Sequence, residues 1–368
     1  MTIALLYGGR SGEHEVSLVS ASSIVRNLDT DQHRLILVGI DKKGAWYRQG
    51  EEQITRIRED SSAILDIQCR EDFRVSVIPG GGRKQGLAMG GTGIPCDIVF
   101  PVLHGTYGED GTVQGLLEMA DLPYVGGGVL ASSLAMDKEK TKIVWQFAGL
   151  PVVPFTAVVL AEWVDTSNRT GILNDIEKRF SWPVFVKPSA AGSSVGASKA
   201  TNRTELSAAI TDALCWDAKV IVEPFIPARE IECSVTGNES PVAYIPGEVI
   251  PTHEFYDYDA KYRDPDGASF AIPAQLDTAE SALIQSLAVK AYRLLDLSGF
   301  ARVDFFKDKR TGTIYLNEIN TIPGFTPISM FPKMCEESGL AYPDLVMKLL
   351  HLGKARHDAR SQLRTSRE

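Results

Sequence analysis

An α/β fold is predicted by three stretches of this sequence. Residues 3–7 form a short apolar strand that runs into Gly8-Gly9 and then a helix-forming stretch. Strand, glycine turn, helix is the α/β unit, with the helix N-terminus at the turn. Residues 97–103 read as a further buried-type strand, followed by His104-Gly105-Thr106-Tyr107-Gly108-Glu109-Asp110-Gly111. That places His, Glu and Asp in a glycine loop at a strand's C-terminal end, where α/β sheets bind ligands; His104 reads equally as a hydrogen-bonded structural residue. An amphipathic helix over 277–297 then feeds two strands, 299–306 and 313–320.

The elements follow in order. The first turn is not G-x-G-x-x-G, so a dinucleotide fingerprint is unsupported; Glu13 and Glu15 beside it suit an ammonium group better than a phosphate. Its helix would turn Val16, Val19, Ile24 and Leu28 inward. Residues 35–41 form a second strand. Residues 50–94, ending in two glycine clusters, read as a peripheral, loop-rich insertion, and the first domain closes near 124–128. Residues 137–148 form a helix stopped by Gly149 and Pro151. Lys138 in its first turn opposes the helix dipole, which favours an anion-binding role.

Residues 182–188 form a buried strand ending at Lys187, followed by a loop of small residues, 189–196, and a short strand near 197–200. Such a loop can close over a polyphosphate through backbone N–H groups, with Lys187 beneath; G-x-x-x-x-G-K-[ST] is absent. A flexible hairpin tip is the alternative. Residues 219–226 form a strand ending in an acid and an aromatic, Glu223 and Phe225, able to meet an adenine edge and a ribose. Residues 229–235 alternate charged and apolar, as a half-buried strand does. The stretch 252–270 has neither period, and its tyrosines favour a lid that orders over a ligand. In the helix over 277–297, Leu283, Leu287, Ala291, Leu294 and Leu295 face inward. A short helix near 344–352 and a charged, frayed tail finish the chain.

The paired strands carry the most chemistry. With the turn centred near Thr311, Asp304 lies opposite Glu318, and Arg302 opposite Asn320. Like charges facing across a ladder are destabilising. A hard cation reverses that sign, and two carboxylates with an amide oxygen suit Mg²⁺. The alternative, a solvated hairpin face, fits poorly with the apolar, turn-forming residues 320–326 that follow.

Composition excludes some classes. The 368 residues are 44% hydrophobic and 23% charged, ordinary values for a globular protein. A net charge of −9 argues against non-specific nucleic-acid binding. Five dispersed cysteines without a C-x-x-C pair read as reduced core thiols. The N-terminus is a strand and not a signal peptide, and no run of 18 apolar residues predicts a membrane span. The cytoplasm is the default location.

In this order the segments resemble the ATP-grasp ligases, and within them the D-alanine–D-alanine ligase family. The motifs are Gly8-Gly9-x-Ser11-x-Glu13-His14-Glu15-Val16-Ser17, His104-Gly105-x-x-Gly108-Glu109-Asp110-Gly111, Met136-Asp137-Lys138, Val186-Lys187-Pro188 with Gly192-Ser193-Ser194-Val195-Gly196, Tyr256-Asp257-Tyr258-x-x-Lys261-Tyr262, and Ala301-Arg302-Val303-Asp304 with Asn317-Glu318-Ile319-Asn320-Thr321-x-Pro323-Gly324. They span nearly the whole chain. Ser189-Ala190-Ala191 departs from the larger polar residues of many relatives.

The resemblance implies three domains: a parallel-sheet α/β domain over 1–128, then 129–227 and 228–368 clasping ATP, with a lid at 252–270. Lys138, Lys187 and Ser194 would hold phosphates, Glu223 and the Phe225 backbone the adenine, and Glu230 the ribose. Asp304, Glu318 and Asn320 would hold Mg²⁺ or Mn²⁺, usually two ions. Glu13 would bind the first D-alanine's ammonium, linked through Ser193 to Tyr262 on the lid, and Lys261 would reach the γ-phosphate. Arg302 and the Gly324 N–H would face the acyl oxygens. Ser329 would take the second substrate's carboxylate, with His104 and Met330 lining the substrate site. The activity implied is ligation of two D-alanines through an acyl phosphate, for peptidoglycan precursors, by a homodimer. Alternatives on the same fold are a D-alanine–D-lactate ligase, against which Tyr262 argues, and a non-catalytic ATP-binding regulator.

Overall fold

The structure, a computed structural model, describes residues 1–251, 267–364 and 366–367. Lys261, Tyr262 and most of the expected lid lie outside the described residues. Apolar runs build the first sheet: β1 (Thr2–Gly8) leads into α1 (His14–Asn27), β2 (Arg34–Ile40) and β3 (Trp46–Arg48). Ile3, Leu5 and Tyr7 pack to one side and Ala4 and Leu6 to the other, as a parallel strand covered on both faces requires. Along α1, Val16 and Val19 are only half-buried and line the cleft, whereas Ser17, Ser20, Ala21, Ile24 and Val25 pack inward. The helix start lies too close to the strand ends for bulky side chains. There Ser17 Oγ accepts from the Gly8 N–H at 2.7 Å and donates to the Val102 carbonyl.

The stretch 50–94 is not the loop-rich periphery expected. It contains α2 (Glu52–Glu59) and an antiparallel sheet of β4 (Val75–Val77), β5 (Leu87–Met89) and β6 (Thr92–Gly93), with α3 (Gly82–Gln85) between. Ile57, Leu65, Val75, Leu87 and Ile94 join the first sheet's two cores; strands this short show no readable period. β7 (Ile98–Val102) pairs parallel with β1 to complete the order β3-β2-β1-β7. After it come α4 (Thr112–Met119), α5 (Val129–Met136) and α6 (Lys138–Phe147), the last capped by the Asp137 side chain on the Lys140 N–H.

The second sheet, order β10-β9-β11-β8, is antiparallel. It contains β8 (Thr156–Val159), β9 (Val184–Pro188), β10 (Ser198–Ala200) and β11 (Lys219–Pro224), with helices α7 (Leu160–Trp163), α8 (Thr166–Arg179) and α9 (Arg203–Ala213). Val184, Val186, Val220 and Val222 pack under α8 and α9. The alternate residues Phe185, Lys187 and Glu223 are therefore presented to the cleft.

The third sheet combines β12 (Ala228–Thr236), β13 (Val242–Ala243), β14 (Gly247–Pro251), β15 (Ala268–Ala271), β16 (Phe300–Asp308) and β17 (Ile314–Asn320). β12 is more than half-buried: 231–236 are all covered, because β14 and β16 flank it. The last residues of the expected lid are the strand β15. Helix α10 (Thr278–Leu294) starts in a capping box of Asp277 and Glu280. Its inward stripe is Ile284, Leu287, Ala288, Ala291 and Tyr292, while Leu283 and Leu294 are exposed. The stripe is thus shifted toward the residues that share a core with β12 and β16.

After β17 come α11 (Met330–Glu337) and α12 (Tyr342–Ser361), which runs well past the short helix expected. The part of the expected frayed tail up to Ser361 is helix held by charge: Arg356 lies 4.0 Å over the Tyr124 ring, and Arg356 and Arg360 pair with Glu118. Phe100, Phe300, Phe325, Phe331 and Tyr342 stack into one aromatic cluster joining the first sheet to the third. Cys69 and Cys215 are exposed; all five cysteines are free thiols, and only Cys96, Cys233 and Cys335 are buried as expected. Among the described residues no helix is long and apolar enough to cross a membrane.

Helix α12 comes so close to the first sheet that a Cβ on Gly353 would stand 2.5 Å from the Tyr124 carbonyl oxygen. Gly353→Ala should therefore cost about 1–3 kcal/mol, read as a lower denaturation midpoint. An unchanged midpoint would mean that this docking is loose.

Candidate active site

Lysines from two elements converge on a cavity of about 1430 Å³ between the three larger sheets. Lys187 Nζ, on β9, lies 2.9 Å from Glu223 Oε2 and donates at 2.9 Å to Asn317 Oδ1. Lys142 Nζ, fully buried on α6, lies 2.6 Å from Glu223 Oε1. Burial pushes Lys142 down to about 8, against the pull of Glu223. Burial works against the Glu223 charge too, but the two lysines outweigh it and hold the carboxyl below its usual range. Both Glu223 oxygens are thus engaged, and the Phe225 N–H is donated to the Pro183 carbonyl at 3.0 Å. A base read by Glu223 must share it with the lysines, and the Phe225 N–H is already committed. What the segment offers a planar base is apolar wall: the Phe185 and Phe225 rings stand 6.5 Å apart, with Lys199 Nζ 4.4 Å from the Phe225 centroid.

Lys138 opens α6 beside the small-residue loop. Its Nζ donates to the Ala191 carbonyl at 2.7 Å and lies 3.4 Å from Glu318 Oε2. Lys219, 2.6 Å from Asp137 Oδ2 and paired also with Glu139, pins that helix start. Ser193 and Ser194 both take left-handed backbone (φ 53° and 58°), uncommon for non-glycine residues. Glu230, half-buried on β12, also borders the cavity.

The acid–arginine cluster forms as the strand pattern predicts: Asp304 is opposite Glu318 and Arg302 opposite Asn320. Immediately beyond, the register shifts, and Asn317 becomes the extra residue of a bulge. That re-aims its amide toward Lys187. Arg302 grips Asp304 with two hydrogen bonds of 2.7 Å and reaches Glu232 Oε1 at 3.2 Å. Asn320 Nδ2 donates to Asp304 Oδ2 at 2.8 Å. Burial opposes the guanidinium charge, but Asp304 and Glu232 keep Arg302 firmly protonated. Among the described residues no three His, Cys, Asp or Glu side chains form a metal cage. Two facing carboxylates and an amide do fit a hard divalent cation that completes its shell with phosphate oxygens and water.

A second acidic pole lies at the start of α1. Ser193 Oγ donates to Glu13 Oε1, and Gly105 packs so closely that a Cβ there would stand 2.7 Å from Glu13 Oε2. His104 is buried with both ring nitrogens occupied, Nε2 by Ser20 Oγ at 3.0 Å and Nδ1 by the Ile322 carbonyl at 2.8 Å. Burial lowers its pKa, so it is a neutral strut with no nitrogen to offer a substrate. Met330 is buried against Gly247, a wall residue at most. Ser329 Oγ accepts from the Thr326 N–H at 3.1 Å and lies where a Cβ on Gly324 would meet it at 2.6 Å.

Lys142 and Glu232 are the site residues that local sequence reasoning misses, whereas Glu109 belongs to the glycine loop and Asn317 to the strand motif it finds. Lys142 follows Lys138 by one helical turn and Glu232 follows Glu230 by one strand period, so their faces were readable; the bulge at Asn317 was not. Glu223→Gln should leave Lys142 buried beside a neutral group and destabilise the fold by about 3–5 kcal/mol, with Lys142→Met in the same chain restoring part of the loss in a denaturant titration. Equal midpoints for Glu223→Gln and the parent would contradict the buried pair.

Two family descriptions match the chain: D-ala D-ala ligase N-terminus over residues 2–127 and D-ala D-ala ligase C-terminus over 144–351. The chain is 56% identical over its full length to the full-length D-alanine–D-alanine ligase of Treponema denticola. To that of Heliobacterium modesticaldum it is 47% identical, covering 100% of this chain and 98% of the relative. The solved D-alanine-D-alanine ligase of Coxiella burnetii superposes with a TM-score of 0.84 at 34% identity, over 98% of this chain and 96% of that one. The VanG D-Ala:D-Ser ligase of Enterococcus faecalis gives 0.80 at 36%, over 96% and 99%. With buried lysines, facing acids and a separate ammonium-type pole in one cleft, and with likeness along its whole length, this chain belongs to the D-alanine–D-alanine ligase family.

Proposed function

We propose that this chain joins two D-alanine molecules into D-alanyl-D-alanine at the expense of ATP, releasing ADP and phosphate, for peptidoglycan precursor synthesis. The observation that carries the reading is one cleft in which Lys138 and Lys187 flank the Asp304–Glu318 pair while Glu13 stands apart, bonded to Ser193. A carboxylate resists attack by an amine, because it is anionic and its leaving group would be oxide. In the first step its oxygen bonds to the γ-phosphorus of ATP, the bond from that phosphorus to ADP breaks, and an acyl phosphate results. Lys138, Lys187 and the backbone around Ser194 offset the moving charge, with Lys261 added from the lid; positioning and charge do most of this work.

Asp304, Glu318 and Asn320 would hold Mg²⁺ or Mn²⁺, two ions in this reading, which supply further neutralisation of the phosphates. Glu13 takes the first D-alanine's ammonium, and Ser193, bonded to it, would pass the link on to Tyr262. In the second step the amine of the other D-alanine attacks the acyl carbon; the C–N bond forms, the acyl C–O bond breaks, and phosphate leaves with the proton that the nitrogen gives up. Arg302 and the Gly324 N–H face the oxyanion, and Ser329 the second carboxylate. Phe185, Phe225 and Glu223 bound the adenine slot, with Glu230 toward the ribose. The chain is read as three units, 1–128, 129–227 and 228–368, acting as a cytoplasmic homodimer.

Acceptor choice is the finer question, since a solved neighbour is a D-Ala:D-Ser ligase; Tyr262 favours an amine acceptor over D-lactate. ATP consumption with D-alanine, L-alanine, D-serine and D-lactate, with product masses, decides it. D-alanine should drive turnover and yield the dipeptide, whereas nucleotide binding without turnover would indicate a regulator. Losing one oxyanion donor costs other enzymes about 3–4 kcal/mol, so Arg302→Ala should lower kcat by about 10²–10³-fold. Near-normal turnover in that variant would refute its assignment.

A further inference from the structure

One carboxylate that the proposed chemistry leaves unused joins the two poles of the cleft. Glu109 sits in the glycine loop after β7 with both oxygens bonded to backbone. Oε1 accepts from the Gly105 N–H at 2.9 Å. Oε2 accepts from the N–H groups of Thr321 and Ile322 at 3.2 and 3.1 Å. Gly105 is the residue packed against the Glu13 carboxylate. Thr321 and Ile322 directly follow Asn320 and precede Gly324. Two further bonds fasten the same segment to the first sheet: the Ile322 carbonyl to His104 Nδ1 at 2.8 Å, and the Phe325 N–H to Ser20 Oγ at 3.2 Å.

We propose that Glu109 is a positioning residue that fixes the distance between the ammonium pole at Glu13 and the acyl-oxygen donors at Arg302 and Gly324, so that the first amino acid's two ends are held at once. The inference rests on the ligase reading for what occupies the two poles; the coupling itself is a property of the fold. Glu109 touches neither substrate nor nucleotide in this reading and acts through Gly105 on one side and residues 321–324 on the other. A carboxylate suits the place because the three N–H groups and the Thr321 hydroxyl all donate to it: an amide in its place turns an NH₂ toward one set whichever way it lies. The carboxyl is strained toward its neutral form, pushed up to about 7 by burial and by the Glu13 charge in spite of those donors. A group held there against that cost is consistent with a positioning role.

The test uses the full chain with two substitutions, Glu109→Gln and Ser20→Ala, and two readouts. In Glu109→Gln, kcat should fall at least tenfold and the KM for the first D-alanine rise at least fivefold, while the KM for ATP stays within twofold. Amide exchange should quicken in peptides covering 104–109 and 320–326, and not in the second sheet. Ser20→Ala removes one bond to each loop, at His104 and at the Phe325 N–H, but leaves the Glu109 bridge whole, so the first D-alanine's KM should stay within twofold; it also carries the test if Glu109→Gln does not fold, and a fivefold rise in that KM would overturn the proposal. Unchanged kinetics in Glu109→Gln despite faster exchange would overturn the proposal, as would a parallel loss of ATP affinity, which marks general loosening. If the parent chain does not turn over D-alanine, the ligase reading fails, and exchange alone then decides: quickening of both loops together supports the coupling, and quickening of one or neither overturns it.

Discussion

Three carboxylates stand in one row across three adjacent strands: Glu232 on β12, Asp304 on β16 and Glu318 on β17 occupy the same register line. Like charges placed opposite one another weaken a sheet, and cations offset that repulsion along the row. Arg302 answers Glu232 and Asp304, and Lys138, from a helix of another part of the chain, answers Glu318. The cleft exists where those opposing charges meet. The rest of the site depends on this register, because a slip of one residue would turn every acid to the opposite face.

The second sheet solves a related problem differently. Lys142, Glu223 and Lys187 form a cation–anion–cation line that leaves a net positive charge at the floor of the cleft. Burying charges is costly, and a well-packed apolar trio of similar volume would often be as stable. The arrangement makes sense as preorganisation: Lys187 is held by Glu223 and Asn317 before any phosphate arrives, so little side-chain freedom remains to be lost on binding. Asn317 owes its orientation to the bulge in β17, which ties the second sheet's lysine to the third sheet's acids.

The sequence revealed the paired strands and their register from Arg302–Asn320 to Asp304–Glu318, because period-2 alternation and a glycine turn fix which residues face each other, but not the shift beyond Asp304. It revealed where α6 starts and the buried strand ending at Lys187 for similar local reasons. What stayed hidden was set by distant parts of the chain. The phase of α10 depends on what β12 and β16 present to it, and both Leu283 and Leu294 could have faced either way. The length of α12 is fixed by Glu118 and Tyr124, more than two hundred residues earlier, which give Arg356 and Arg360 their partners. His104, at a strand end beside glycines, reads locally as a ligand residue or as a hydrogen-bonded strut; its ring is consumed by Ser20 and Ile322, a pairing no local pattern announces. Where a loop's chemistry is directed at another loop, spacing along the chain says little.

The central claim is that the facing carboxylates of β16 and β17 take up a divalent cation together with nucleotide phosphate. Anomalous diffraction from a crystal grown with Mn²⁺ and ADP tests it most directly. The account predicts a manganese peak at oxygen-ligand distance, about 2.0–2.3 Å, from Asp304, Glu318 and the Asn320 amide oxygen. Manganese held elsewhere by the nucleotide alone, with Asp304 still gripped by Arg302 and Glu318 turned away, would contradict it.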